Sequence, residues 1–460
     1  MAYLGSTPET QTFTSGTDYF NGDGISVSFT LSRPVASVND IDVVVSNVVQ
    51  QPSTAYSVSG TTITFTSAPP AGTSNVYARY LSTATQTLTP SPGTVGTSQF
   101  SPSLTNVPFF GGSTLGAGNA TGMKNRLING GMVIDQRATA LTDYGYATDR
   151  WSYNPAAASK ATVAQSSVAP TGFTYSLLAT SSAATTVSST DVYILEQKIE
   201  GYNVADLAFG TASAKTVTVS FWVRSSLTGT FSGALGNAGP DRSYPFSYTI
   251  SSANTWEQKT VVIPGDTTGT WATTNGAAFR LCFSLGCGSS RSASAGAWTG
   301  TANVFAASST VNLVETSGAT FYVTGVQLEE GNAATSFDFR DYGRELALCQ
   351  RYYYVLAPKA ANQPTGLASY YNNTYLATNV SFPTTMRSSP TAISASGADY
   401  FIVFRDNSSD SFDSWTYDAS AVSPQVAEIY NSTEISGTAG QVGTTRTNNA
   451  SAFVHFTAEL

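Results

Sequence analysis

The stretch GVQLEEGNAATSFDFRDYGRELALCQRYYYV, residues 325–355, changes its period halfway. Residues 325–330 alternate apolar and polar side chains, the period of a strand. Tyr342, Leu346, Cys349 and Tyr353 then fall four, three and four residues apart, which is helical spacing. One short helix is therefore predicted in a chain whose neighbouring segments read as strand and turn. Outward from it, KTVTVSFWVRSS (215–226) places Val217, Val219, Phe221 and Val223 on one face, with Trp222 and Arg224 on the other. TWEQKTVVIPG, AFRLCFSLGCG, STVNLVE and TFYVTGVQLEEG add strands separated by Gly, Asn-Gly and Ser/Thr turns. Many short strands at such spacing predict a sandwich or jelly roll over residues 123–339.

Composition agrees with mostly β structure. Charged residues are 11% of the 460, against roughly 25% in an average soluble domain, and Ser, Thr, Gly, Ala and Asn fill the deficit beside 24 Tyr and 24 Phe. Residues 1–84 read as a small antiparallel β-sandwich: NGDG supplies two turn dipeptides, and Ile25, Val27, Phe29 and Leu31 alternate after it. NGDG lacks the later ligands of a calcium loop, so it is read as turn chemistry. Residues 85–122 are a Pro/Gly/Ser/Thr-rich linker, with Phe100, Phe109 and Phe110 too apolar for a pure spacer. Residues 340–460 hold the helix followed by a smaller β domain. No fixed-period repeat is visible.

Several functions are disfavoured. A net charge of −8 offers no basic face to a phosphate backbone, so no nucleic-acid partner is expected. There is no apolar run of about 18 residues and hence no membrane insertion through a helix. MAYLGSTPETQTF has neither the basic nor the apolar region of a secretory signal. The single histidine, His455, reads as a strand residue, which leaves no histidine-rich metal site and little for a His-dependent nucleophile. Cys282 and Cys287 flank FSLG and are the one pair that could bridge a hairpin, although cytosolic assembly disfavours it.

Three stretches, MKNRLINGGMVIDQRATALTDYGYATDRWSY (123–153), LEQKIEGYNVADLAFGTASAKTVTVSFWVRSS (195–226) and 326–355 with FPTTMRSSPT (382–391), resemble bacteriophage tail-fibre and receptor-binding proteins. Residues 18–81 are similar to a domain that recurs at the start of podophage- and cyanophage-type fibres. The resemblance implies a virion-attachment domain, a carbohydrate-binding-like jelly roll and a distal receptor-binding tip, arranged as a homotrimer. It further implies assembly in the host cytoplasm, residence in the virion, and as partners virion tail or baseplate proteins and a host-surface polysaccharide or lipopolysaccharide. It supplies no sugar-contacting residue.

Those come from the residues themselves. Sugar binding needs aromatic faces for ring C–H groups and amides or carboxylates for hydroxyls. SYYNNTYL offers Tyr370, Tyr371 and Tyr375 with Asn372, and RDNSSDSFDSWTYD offers Trp415 and Tyr417 in a turn-rich loop expected to be exposed. Tyr244, Trp256, Trp271 and Trp298 lie in or beside loops of the jelly roll, whereas Trp151 and Trp222 are read as packing. Tyr342, Leu346, Cys349 and Tyr353 are expected to face inward at the junction or against symmetry mates. Calcium is the one cofactor considered, at Asp266 or Asp241. No catalytic residue is assigned: Glu329 and Glu330 are neighbours expected on solvated surface or a cap, no nucleophile elbow is present, and a non-enzymatic protein is expected. The alternatives are a structural adaptor between tail hub and another fibre, or a polysaccharide depolymerase.

Overall fold

The computed structural model describes residues 16–81 and 123–460, and the chain divides into two compact units, Met1–Val107 and Pro108–Leu460. The linker expected at 85–122, with its three phenylalanines, lies outside the described residues. In the first unit a four-stranded antiparallel sheet runs in the order Thr17–Gly22, Gly72–Tyr80, Ile41–Val45, Val48–Val49, and Ser28–Val35 pairs with Tyr56–Phe65. Leu31, Val43, Tyr56, Ile63 and Val76 close its core. The NGDG turn is held by Asp23, which accepts from the amides of Ile25 at 2.8 Å and Ser26 at 2.6 Å.

The second unit begins with two packed antiparallel sheets. The five-stranded sheet runs Glu257–Ile263, Val217–Ser225, Thr320–Glu330, Ser176–Ser181, Ala161–Ser166. The six-stranded sheet runs Ser243–Ile250, Gly229–Asn237, Ala277–Cys287, Val192–Glu200, Trp151–Pro155, Gly145–Thr148. Alternation puts Val217, Val219, Phe221 and Val223 into the space between the sheets, where they meet Phe231, Phe283 and Phe321. The C-terminal module adds a seven-stranded sheet, centred on Pro364–Asn372 and Val442–Thr447, and a three-stranded sheet of Tyr353–Ala357, Val454–Thr457 and Thr391–Ser394.

The predicted helix is Tyr342–Gln350. Asp341 caps it, accepting from the Arg344 amide at 2.9 Å. Cys349 is buried with Ile128, Ile134 and Tyr352, and Leu346 packs against them, so the helix joins the loop that opens the sandwich to the start of the C-terminal module. Tyr353 is buried as well, under the Arg137 guanidinium 3.6 Å from its ring. Tyr342 departs from the inward face expected of it and is 62% exposed. It occupies the first helical position, where the side chain points back beyond the helix end and away from that cluster.

The disfavoured disulfide is absent, and the surface position expected of Glu329 is corrected. Cys282 and Cys287 are free thiols on one strand, Ala277–Cys287. Five residues of extended chain separate them by roughly 16 Å, far beyond disulfide reach. Glu329 is buried instead of solvated, accepting from Thr335 Oγ1 at 2.6 Å and Gln327 Nε2 at 2.8 Å. Glu330 alone turns outward, to Lys215 at 3.1 Å.

Candidate functional site

The hairpin Pro364–Asn372/Tyr375–Ser381 brings part of SYYNNTYL to the surface. Alternation sends Tyr370 inward, where it is buried, and Tyr371 outward, where it is 81% exposed. Tyr375 follows Tyr371 on the outer face, with ring centroids 6.2 Å apart. The next strand, Val426–Asn431, pairs Tyr430 with Ala377 and Glu428 with Asn379. Tyr430 thereby stacks on Tyr375 at 4.8 Å with 16° between planes. Glu428 accepts from the Tyr375 hydroxyl at 3.2 Å. Burial and the Glu428 carboxylate push the Tyr375 phenol up to about 12, so it remains a neutral donor at ordinary pH.

The result is a platform of three tyrosines, one carboxylate and the exposed Asn379. Asn372 stands beside it but spends its Oδ1 on the Thr374 amide at 2.9 Å, fixing the turn. Tyr430 and Glu428 were not singled out in the sequence. The signal was present in VAEIYN: Ala427, Ile429 and Asn431 are buried, which leaves Glu428 and Tyr430 to the other face.

The remaining predicted aromatics do not join them. Trp415 is 4% exposed, wedged against Phe412 at 4.9 Å and Phe401 at 6.3 Å in the module's core. Tyr417 packs on the same core and donates to the Pro390 carbonyl. Both were expected on an exposed loop, but the indole is large and apolar enough to be drawn into the module's core against Phe401 and Phe412. Tyr244, Trp271 and Trp298 form an aromatic cluster with Phe209 inside the sandwich. Trp151 is buried and donates to the Asn129 carbonyl at 3.1 Å.

Among the described residues no group of three or more His, Cys, Asp or Glu converges as a metal site would require. Asp266 gives both oxygens to Arg242, at 2.7 and 2.8 Å. Burial by itself would raise this carboxyl; the hydrogen bonds from Arg242 and Thr268 outweigh it and hold the group below its usual range. Asp241 accepts from Asn237 Nδ2 at 2.5 Å. His455 Nδ1 lies 2.5 Å from the Tyr353 hydroxyl, and its ring stacks on Phe453 at 4.6 Å. No helix among the described residues is long and apolar enough to cross a membrane.

No protein-family model matches this chain, and no curated protein matches it. Solved structures similar to it include the enzymatically active domain of bacteriophage CBA120 tailspike protein 4, at 11% identity and a TM-score of 0.26, covering 45% of this chain and 21% of that one. Another is TmCBM61 in complex with β-1,4-galactotriose, at 11% identity and a TM-score of 0.25, covering 45% and 99%. A third is the CBM22-1 xylan-binding domain of Paenibacillus barcinonensis Xyn10C, at 10% identity and a TM-score of 0.22, covering 43% and 100%. Likenesses this loose place no ligand on the chain.

Proposed function

We propose that this chain is a fibre subunit of a phage virion that holds a host-surface glycan non-covalently and does not cut it. The observation that carries the binding half is the outward platform of Tyr371, Tyr375 and Tyr430 with Glu428 and Asn379. Aromatic faces supply apolar contact to sugar C–H groups, while the carboxylate accepts from hydroxyls and the amide both donates and accepts. An open face with few charges suits a neutral polyhydroxylated chain. The resemblance of residues 18–81 to a fibre-start domain supports virion attachment by the first unit. In a homotrimer three such platforms act together, and multivalency raises avidity by roughly 10²- to 10⁴-fold without any one site being tight.

The test is retention of the full-length protein on host cells and extracted surface polysaccharide, with reducing ends followed over time. Saturable retention without release of reducing ends is expected, and Tyr371→Ala with Tyr430→Ala should weaken it at least tenfold. Release of oligosaccharides would replace the binding reading with a depolymerase. Absence of retention would favour the structural adaptor.

A further inference from the structure

The outer face of the five-stranded sheet carries a second aromatic surface, organised by one glycine. Pairing between Val217–Ser225 and Thr320–Glu330 slips between Ser220, opposite Gln327, and Trp222, opposite Thr324. Gly325 sits in this irregularity at φ +60°, a left-handed backbone that favours glycine. A Cβ there would lie 2.6 Å from Phe173 Cζ and 3.1 Å from Trp222 Cδ1. The missing side chain is thus what lets Phe173 settle on the sheet beside Trp222.

From Phe173 the aromatic surface continues both ways. On one side are Phe337 at 5.1 Å and Phe339 at 5.3 Å, themselves 4.8 Å apart. On the other, Trp222 and Arg224 share the outer face two residues apart. Arg224 lies opposite Tyr322 with its guanidinium carbon 4.9 Å from the ring centroid. Tyr322 meets Trp256 at 6.0 Å. Exposed Gln258 is paired with Trp222 and shares its face. The row ends at a cavity of about 260 Å³, whose lining includes Phe173, Phe337, Phe339, Asp338, Arg340 and Glu345. Phe339 is 65% exposed at its mouth.

We propose that this row and cavity form a glycan-binding track on the sandwich, separate from the tyrosine platform: a neutral oligosaccharide lies along Trp256, Tyr322 and Trp222 and places its terminal ring in the cavity. The row favours a sugar over an apolar protein surface. Arg224 and the exposed Gln258 stand among the rings of the row, and covering their polar ends with hydrocarbon would strip their water without offering hydrogen bonds in return. Sugar hydroxyls both donate and accept, so they can serve these groups while ring C–H faces meet the phenylalanines. The inference does not depend on the platform, since the two surfaces share no residue.

The experiment titrates the full-length protein with β-1,4-linked gluco-, xylo-, manno- and galacto-oligosaccharides of two to six sugars, reading tryptophan emission and oligomeric mass by light scattering. At least one series should shift the emission, with affinity rising about tenfold between the shortest and longest members as successive rings gain aromatic contacts. Trp222→Ala and Phe339→Ala should each weaken binding about tenfold, Gly325→Ala should weaken it by displacing Phe173, and Tyr430→Ala should leave it unchanged. Failure of every series to bind overturns the track. So does unchanged binding in Trp222→Ala and Phe339→Ala, or loss of binding in Tyr430→Ala, which would locate the site on the platform. A Phe339→Ala protein that keeps its sugar affinity but changes oligomeric mass would make the surface a subunit interface instead.

Discussion

Arg150 carries a charge into the interior, buried where the sandwich meets the last residues of the chain. Its guanidinium donates to Glu459 and, at 2.7 Å, to the Lys198 carbonyl, and lies 3.6 Å from the Tyr352 ring centroid. Glu459 also takes Arg137 at 2.8 Å. Breaking a buried pair strands its partner, so Arg150→Met should cost about 3–5 kcal/mol of stability. Urea unfolding would measure it, and a loss under about 1 kcal/mol would mean that water reaches the pair. His455 supplies a pH dependence. Burial, helped by the Arg137 charge, lowers its pKa to about 4, so the fold prefers neutral imidazole. That contribution is complete above the ordinary histidine value near 6.5 and is lost as pH falls toward 4. Asp149, pushed up to about 6 chiefly by burial, acts in the opposite sense, gaining as pH falls through 6. A comparison of wild type with His455→Gln isolates the histidine: the wild-type melting temperature should drop more between pH 7 and pH 4.5. Parallel curves would show that His455 titrates normally.

Among elements, the nine-residue helix Tyr342–Gln350 touches the loop that opens the sandwich and leads into the C-terminal module. A helix of this length is marginal by itself and depends on its cap and its packing. Asp341→Ala removes the bond to the Arg344 amide and should cost about 1 kcal/mol, while Asp341→Asn keeps most of it. Hydrogen exchange of the helix amides would report the difference, and equal protection in both variants would assign the helix to tertiary packing alone. This helix was legible in the sequence because its period broke from that of its neighbours. The inward faces of the sandwich strands were legible for the same kind of reason, as Val217 to Val223 show. Trp415 was not: a strand-breaking cluster of Ser and Asp reads as exposed, and only the tertiary packing against Phe401 and Phe412 reveals that the indole lies in the core. Tyr430 and Glu428 were readable from alternation but became a site only when pairing brought Tyr375 alongside. Phe173 was invisible for a different reason. Its place depends on a glycine about 150 residues away, and nothing in the local sequence of either announces the contact.

At the scale of the molecule, the C-terminal module has a core of its own yet is tied to the sandwich by polar contacts at several points. Arg351 pairs with Glu200 at 2.5 Å, and the Tyr352 hydroxyl donates to the same carboxylate. Arg387 donates to the carbonyls of Asn275, Ala458 and Glu459, touching both sides of the joint. The helix adds Glu345, which accepts from the Asn129 amide and pairs with Arg340. Cut away at residue 340, the C-terminal module would lose the sandwich partners of Arg351, Tyr352, Arg387 and Glu459 and uncover Cys349. Each such loss leaves a formerly buried polar or apolar group facing water. A fragment of residues 340–460 should therefore unfold at a temperature well below a fragment of residues 123–460, by about 10 °C or more if two of these contacts contribute roughly 1–2 kcal/mol each. The longer fragment should unfold in a single calorimetric transition, because the joint couples the two cores. Two resolved transitions in it, the upper or lower matching that of 340–460 alone, would show that the joint transmits no stability and that the modules are strung together without being coupled.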